Sequence, residues 1–135
     1  MKNVLGDCGE ILPKIINEER LLTKNLYLVL DPPRKGCDYS VIESILKSLP
    51  DKICYISCSP QTLARDLGLI LGTLKYEENK LSKTDKFNDL YTIESIRPYD
   101  MFPQTKHVET LVVLRTKSSN DRSALSPAPG IGNLK

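Results

Sequence analysis

Cys58 sits in the stretch YISCSPQTLARDL, residues 55–67, where a run of strand character ends, Pro60 follows, and a helical pattern begins. The thiolate is the nucleophile in cysteine chemistry, and a free thiol of pKa about 8.5 is only slightly ionised at neutral pH. A turn at this point would set the sulfur beside the first turn of a helix, whose partial positive charge favours an anion. Three acids occupy comparable positions: Asp7 follows a short apolar start, Asp31 follows the run NLYLVL, and Glu109 heads the run ETLVVLRT. In open parallel sheets ligands sit beyond the carboxyl ends of the strands, so Asp7, Asp31 and Cys58 share one rim if their strands are neighbours. Each has an ordinary alternative. A lone cysteine is most often a small buried hydrophobe, Asp7 could cap a helix, Asp31 could end a strand before Pro-Pro, and Glu109 could be an exposed carboxylate.

The elements that must position these residues follow from periodicity. Residues 25–30, NLYLVL, form a continuous apolar run that stops at DPPRKG, as expected of a strand buried on both faces of a parallel sheet. Asp38 is an N-cap, and Val41, Ile42, Ile45, Leu46 and Leu49 recur at helical spacing until Pro50. Residues 52–57, KICYIS, form a second strand; from Pro60, Leu63, Leu67, Ile70, Leu71 and Leu74 mark a second helix. Strand, helix, strand, helix is the rhythm of a parallel sheet with right-handed crossovers. KNVLGD reads as the end of an earlier strand, followed by a helix over residues 12–20. Residues 91–97 and 108–116 are rich in β-branched side chains and predict an antiparallel pair at the sheet edge.

Residues 75–90 are highly charged and predict an exposed excursion with a short strand near residues 79–83. The serine-, proline- and glycine-rich tail 118–135 predicts disorder, leaving residues 1–117 as the folded part. Lysine and arginine total 19 against 17 acids, so net charge points to no partner class. The cysteines Cys8, Cys37, Cys54 and Cys58 lack zinc-site spacing; Cys54 reads as a packing residue, Cys8 and Cys37 as loop thiols. No apolar stretch approaches the roughly 18 residues of a membrane span, so the expectation is no membrane partner and a reducing, cytoplasmic setting, or a nuclear or organellar one in a eukaryote.

DPPRKG at residues 31–36, YISCSPQTLARDL at 55–67 and DMFPQTKHVET at 100–110, with GDCGEILP upstream, together resemble the S-adenosylmethionine-dependent RNA 5-methyluridine methyltransferases, in the same chain order. The resemblance implies an α/β, partial Rossmann-like class I methyltransferase sheet: mostly parallel strands with helices, an antiparallel C-terminal pair, and an N-terminal half missing. It implies Cys58 as the nucleophile that adds to carbon 6 of uracil, and Glu109 as the base that removes the carbon 5 proton. Asp31, and by a weaker match Asp7, fall at positions that bind S-adenosyl-L-methionine. The implied partners are a tRNA or rRNA substrate and the missing half. Lys35, Arg65, Arg97 and Lys106 are available for phosphates. Two features depart from the family: Ser59 stands where asparagine is common, and the charged excursion is long. A rival chemistry is amino-group methylation, in which the DPP turn holds an exocyclic nitrogen and no cysteine is needed; a non-catalytic remnant used as a binding piece is the other.

Overall fold

The computed structural model describes residues 3–22, 25–84 and 88–117, so the expected tail at 118–135 lies outside the described residues. In chain order the elements are α1 (Cys8–Leu22), β1 (Tyr27–Leu30), α2 (Tyr39–Ser48), β2 (Lys52–Ser57), α3 (Pro60–Leu71), β3 (Leu74–Glu77), β4 (Lys80–Lys83), β5 (Tyr91–Tyr99) and β6 (Glu109–Thr116). The main sheet has the order β1-β2-β6-β5, while β3 and β4 form a separate hairpin. β1 and β2 run parallel, with Leu28 opposite Ile53 and Leu30 opposite Tyr55; β6 is antiparallel to both β2 and β5. The class is therefore α/β with a mixed sheet. Its parallel part is the pair joined through α2, and the antiparallel C-terminal pair lies where the β-branched runs placed it.

Side chains alternate between sheet faces, so paired residues share a face. Ile53, Tyr55, Val112 and Leu114 are fully buried on one face, where Val41, Ile42 and Ile45 of α2 and Leu63, Leu69 and Ile70 of α3 complete the core. α1 packs on α2. The opposite face carries Tyr27, Val29, Cys54, Ile56, Leu111 and Val113, and there Tyr27 and Val29 are each 65% exposed. This corrects the expectation of a strand buried on both faces: among the described residues, the helices that build the core lie on one side of β1.

Several boundaries also shift. Residues 3–7 form no strand, and α1 starts at Cys8 rather than near residue 12, because the Asp7 carboxylate accepts a hydrogen bond from the Gly9 amide at 2.8 Å and caps the first turn. α3 ends at Leu71: Gly72 takes a left-handed conformation (φ 76°), so Leu74 opens β3 instead of extending the helix. The charged excursion is exposed as expected and includes the expected strand as β4, but it is a hairpin. Glu78 (φ 51°) and Asn79 (φ 59°) supply the two positive φ angles of a tight type I′ turn. At the far edge Pro98 is tolerated inside β5 because that strand is outermost.

Candidate active site

The turn after β2 is built by its own polar atoms. Ser57 Oγ accepts a hydrogen bond from the Ser59 amide at 3.1 Å and donates to the Ser59 carbonyl at 3.0 Å, which braces the intervening Cys58. Ser59 is extended (φ −134°), Pro60 begins α3, and the Ser59 carbonyl accepts the Leu63 amide at 3.0 Å. The departure from asparagine is thus met by backbone groups, since the Ser59 side chain makes no cap bond. Cys58 is half-buried, at the start of the helix as the sequence predicted.

Strand register then brings Cys58 to Glu109. Ser57 pairs with Thr110, both buried on the core side, and the strands are antiparallel, so the residue after Ser57 and the residue before Thr110, Cys58 and Glu109, fall at the same rim. Alternation sets Glu109 on the uncovered face with Leu111 and Val113. There Glu109, Asp31, Ile56, Tyr99, Met101 and Phe102 line a cleft of about 460 Å³, whose lining does not include Cys58 itself. Met101 and Phe102 reach it from the β5–β6 connection, a loop held by hydrogen bonds from Thr105 N (3.2 Å) and Thr105 Oγ1 (2.7 Å) to the Phe102 carbonyl, with Gln104 at φ 64°.

A second cleft of about 430 Å³ is lined by Asp7, Asp31, Leu12, Leu28, Val29 and Pro32, among others. Asp31 belongs to both clefts, and Asp7 both caps α1 and faces the second one. The structure therefore brings Asp31 together with Glu109 on one side and with Asp7 on the other. Carboxylates set among apolar walls can accept hydrogen bonds from a ligand whose remaining surface is apolar.

One buried residue escaped the sequence reasoning, and it gives its neighbour Arg65 a different role from the one expected. Asp66 is fully buried yet accepts hydrogen bonds from the Tyr55 hydroxyl, the Cys37 amide (2.7 Å) and Arg65 Nε (2.8 Å). The signal was available: Leu63, Asp66 and Ile70 share one helical stripe, so the acid lies on the apolar face. Arg65, expected to be free for phosphates, is instead tied to Asp66 and to main-chain carbonyls, while Lys35 pairs with Asp38 at 3.0 Å. Cys37 is in a loop as expected but packs against the core, and burial pushes its thiol up to about 11, with the Asp66 charge adding and a hydrogen bond with Tyr55 opposing. Burial, and then its bond to Asp66, likewise push the Tyr55 phenol upward.

Carboxylates and a thiol gathered at one rim of an open α/β sheet stand where such sheets bind ligands. Residues 19–117 match the profile of the tRNA (Uracil-5-)-methyltransferase family. Relatives named uncharacterized RNA methyltransferase include one from Prochlorococcus marinus, 48% identical over 113 residues, covering 84% of this chain and 22% of the relative. Another, from Clostridium acetobutylicum, is 41% identical over 112 residues, covering 83% and 20%. Among solved structures, the Pyrococcus abyssi tRNA (uracil-54, C5)-methyltransferase in complex with S-adenosyl-L-homocysteine is 32% identical, with a TM-score of 0.49 over 65% of this chain and 18% of that one. The chain belongs to the tRNA (uracil-5-)-methyltransferase family, a family of RNA methyltransferases. It spans about a fifth of the length of these curated relatives.

Proposed function

We propose that residues 1–117 are the C-terminal part of a catalytic domain that transfers a methyl group from S-adenosyl-L-methionine to carbon 5 of uridine in tRNA or rRNA. The remainder of the domain is supplied by further polypeptide, as the length of the relatives supports. The observation that carries the reading is the β2–β6 register, which sets the Cys58 turn beside Glu109, itself in one cleft with Asp31. S-adenosyl-L-methionine, when bound, supplies an electrophilic methyl carbon. Asp31 and Asp7 would hold it by accepting hydrogen bonds, along the cleft they share.

Carbon 5 of uracil is too weak a nucleophile to be methylated unaided. The Cys58 thiolate bonds to carbon 6, and the carbon 5–carbon 6 π pair moves into an enolate that makes carbon 5 nucleophilic. The sulfur sits one residue before the N-cap of α3, at the rim where the base would enter. Once carbon 5 carries the methyl group, Glu109 takes its proton; the double bond re-forms as the sulfur–carbon bond breaks and returns the thiolate. Tyr99 and Phe102 offer faces on which a base turned out of the RNA can stack, offsetting an unstacking cost of a few kcal/mol.

The test uses this chain mixed with a polypeptide covering the rest of the Prochlorococcus marinus relative. RNA containing 5-fluorouridine should trap a covalent complex in the presence of S-adenosyl-L-methionine, because fluorine at carbon 5 cannot leave as a proton. Cys58→Ser should abolish both adduct and methylation, and Glu109→Gln should slow turnover by about 10²–10⁴-fold, as expected on losing a general base. Methylation that survives Cys58→Ser would point to the amino-group chemistry of the DPP turn. Absence of both adduct and cofactor binding would leave the non-catalytic reading.

A further inference from the structure

The loop that carries Asp31 and the helix that begins beside Cys58 are fastened together at Lys35 and Cys37, loop residues that also line the second cleft. Asp31 opens the loop DPPRKG, which turns tightly: the Gly36 amide donates to the Pro33 carbonyl at 2.8 Å, with Gly36 at φ 79°. Four main-chain groups, on Arg34, Lys35 and the following Cys37, are then gripped from α3. Thr62 Oγ1 donates to the Arg34 carbonyl at 3.0 Å, and Arg65 Nη2 donates to the carbonyls of Lys35 and Cys37, both at 3.0 Å. The Cys37 amide donates to Asp66 Oδ2, while Asp66 Oδ1 orients the guanidinium through Arg65 Nε. Tyr55, on the strand that leads into Cys58, donates its hydroxyl to the same carboxylate. The approach is so close that a Cβ at Gly36 would lie 2.5 Å from Arg65 Nη2 and 2.6 Å from Asp66 Oδ2.

We infer that Arg65, aimed by the buried Asp66, is a positioning residue that locks the Asp31 loop to the Cys58 helix so that the two sides of the site move as one body. Arg65 touches neither cleft described above, and its guanidinium is spent on main-chain carbonyls, so it acts through the groups it holds. A planar guanidinium that holds the Asp66 carboxylate through Nε and both carbonyls through Nη2 does this with little loss of side-chain freedom, whereas a lysine ammonium is a single point on a flexible stem. The catalytic meaning of this lock rests on the function proposed above; the lock itself rests only on the contacts.

The test is alkylation of the 135-residue chain by iodoacetamide, with rates mapped separately to Cys8, Cys37 and Cys58. Arg65→Met keeps the apolar stem of a partly exposed side chain and removes the fork. It should speed alkylation of Cys37 by about tenfold and of Cys58 by about threefold, as expected on losing one or two charge-assisted hydrogen bonds, and leave exposed Cys8 unchanged. Arg65→Lys should fall between wild type and Arg65→Met at both sites, and it decides the matter if Arg65→Met does not fold. A faster Cys37 with an unchanged Cys58 would overturn the lock, since the loop would then be braced with no hold on the nucleophile turn. So would an unchanged Cys37, or a parallel rise at Cys8, which signals general loosening. Failure of the methyltransfer reading shows separately, as no 5-fluorouridine adduct with the wild type, and leaves these rates untouched.

Discussion

At Cys37 a thiol is held against the core beside an aspartate that has no exposed surface, and burial raises its pKa from 9.0 to about 11. The folded state thus keeps the proton through a pH range in which the unfolded chain gives it up. Stability from this group is fully present below pH 9, declines as pH rises from 9.0 toward about 11, and is gone above that. Tyr55, also shifted upward, adds an alkaline loss of its own, so the informative quantity is a difference. Urea midpoints from pH 8 upward should fall more steeply for the wild type than for Cys37→Ala; parallel curves would refute the assignment. At this scale the positions of Cys58, Asp31 and Glu109 at strand ends were legible, because the apolar runs and prolines that bound those strands are local in the chain. The apolar stripe marks Asp66 as facing inward, but the network it forms with Arg65 was opaque for the opposite reason. Their partners, Lys35 and Cys37 on one side and Tyr55 on the other, are far away in the chain, and a charged pair in a helix ordinarily faces water.

Among the elements, β2 and α2 were legible, β2 as a short continuous apolar run and α2 as apolar residues recurring at a period of 3.6, with prolines nearby to end each pattern. Leu74 misled because it continues the spacing of α3, and only backbone conformation reveals the stop. Gly72 there has φ 76°, and the end of the helix is covered by Asn88, whose side-chain amide donates to the Ile70 carbonyl at 2.8 Å. The hairpin of β3 and β4 follows from that reversal, and its Tyr76 ring meets Tyr39 of α2 at 4.8 Å between centroids. Gly72→Ala would strain the left-handed backbone and bring a Cβ to 2.6 Å from the Asn88 amide nitrogen. The left-handed strain alone costs about 1–2 kcal/mol. Chemical denaturation should show at least that loss, and a variant as stable as wild type would mean that the helix stop does not depend on glycine.

For the molecule as a whole, the decisive feature is that the sheet is dressed on one side. The pattern NLYLVL led to a strand buried on both faces, and that inference was chemically sound. Tyr27 and Val29 have the apolar character of buried residues, yet each is 65% exposed among the described residues. Parallel sheets are covered on both faces where they are complete, and the relatives are about four times as long, which together support further polypeptide over this face. Asp31 and Glu109 stand at the margin of the same face, so whatever covers it also walls the clefts. Without that cover, the face should bind a hydrophobic dye such as anilinonaphthalene sulfonate. Val29→Lys should weaken dye binding while leaving the unfolding free energy within about 0.5 kcal/mol, because an exposed position contributes little to the fold. In the mixture with the remainder of a relative, the same lysine should lower cofactor binding, since a charge would then be buried between the layers without a partner. Equal dye binding by wild type and Val29→Lys would show that the apolar face is not what the isolated chain presents to solvent, and would remove the physical reason for a second layer.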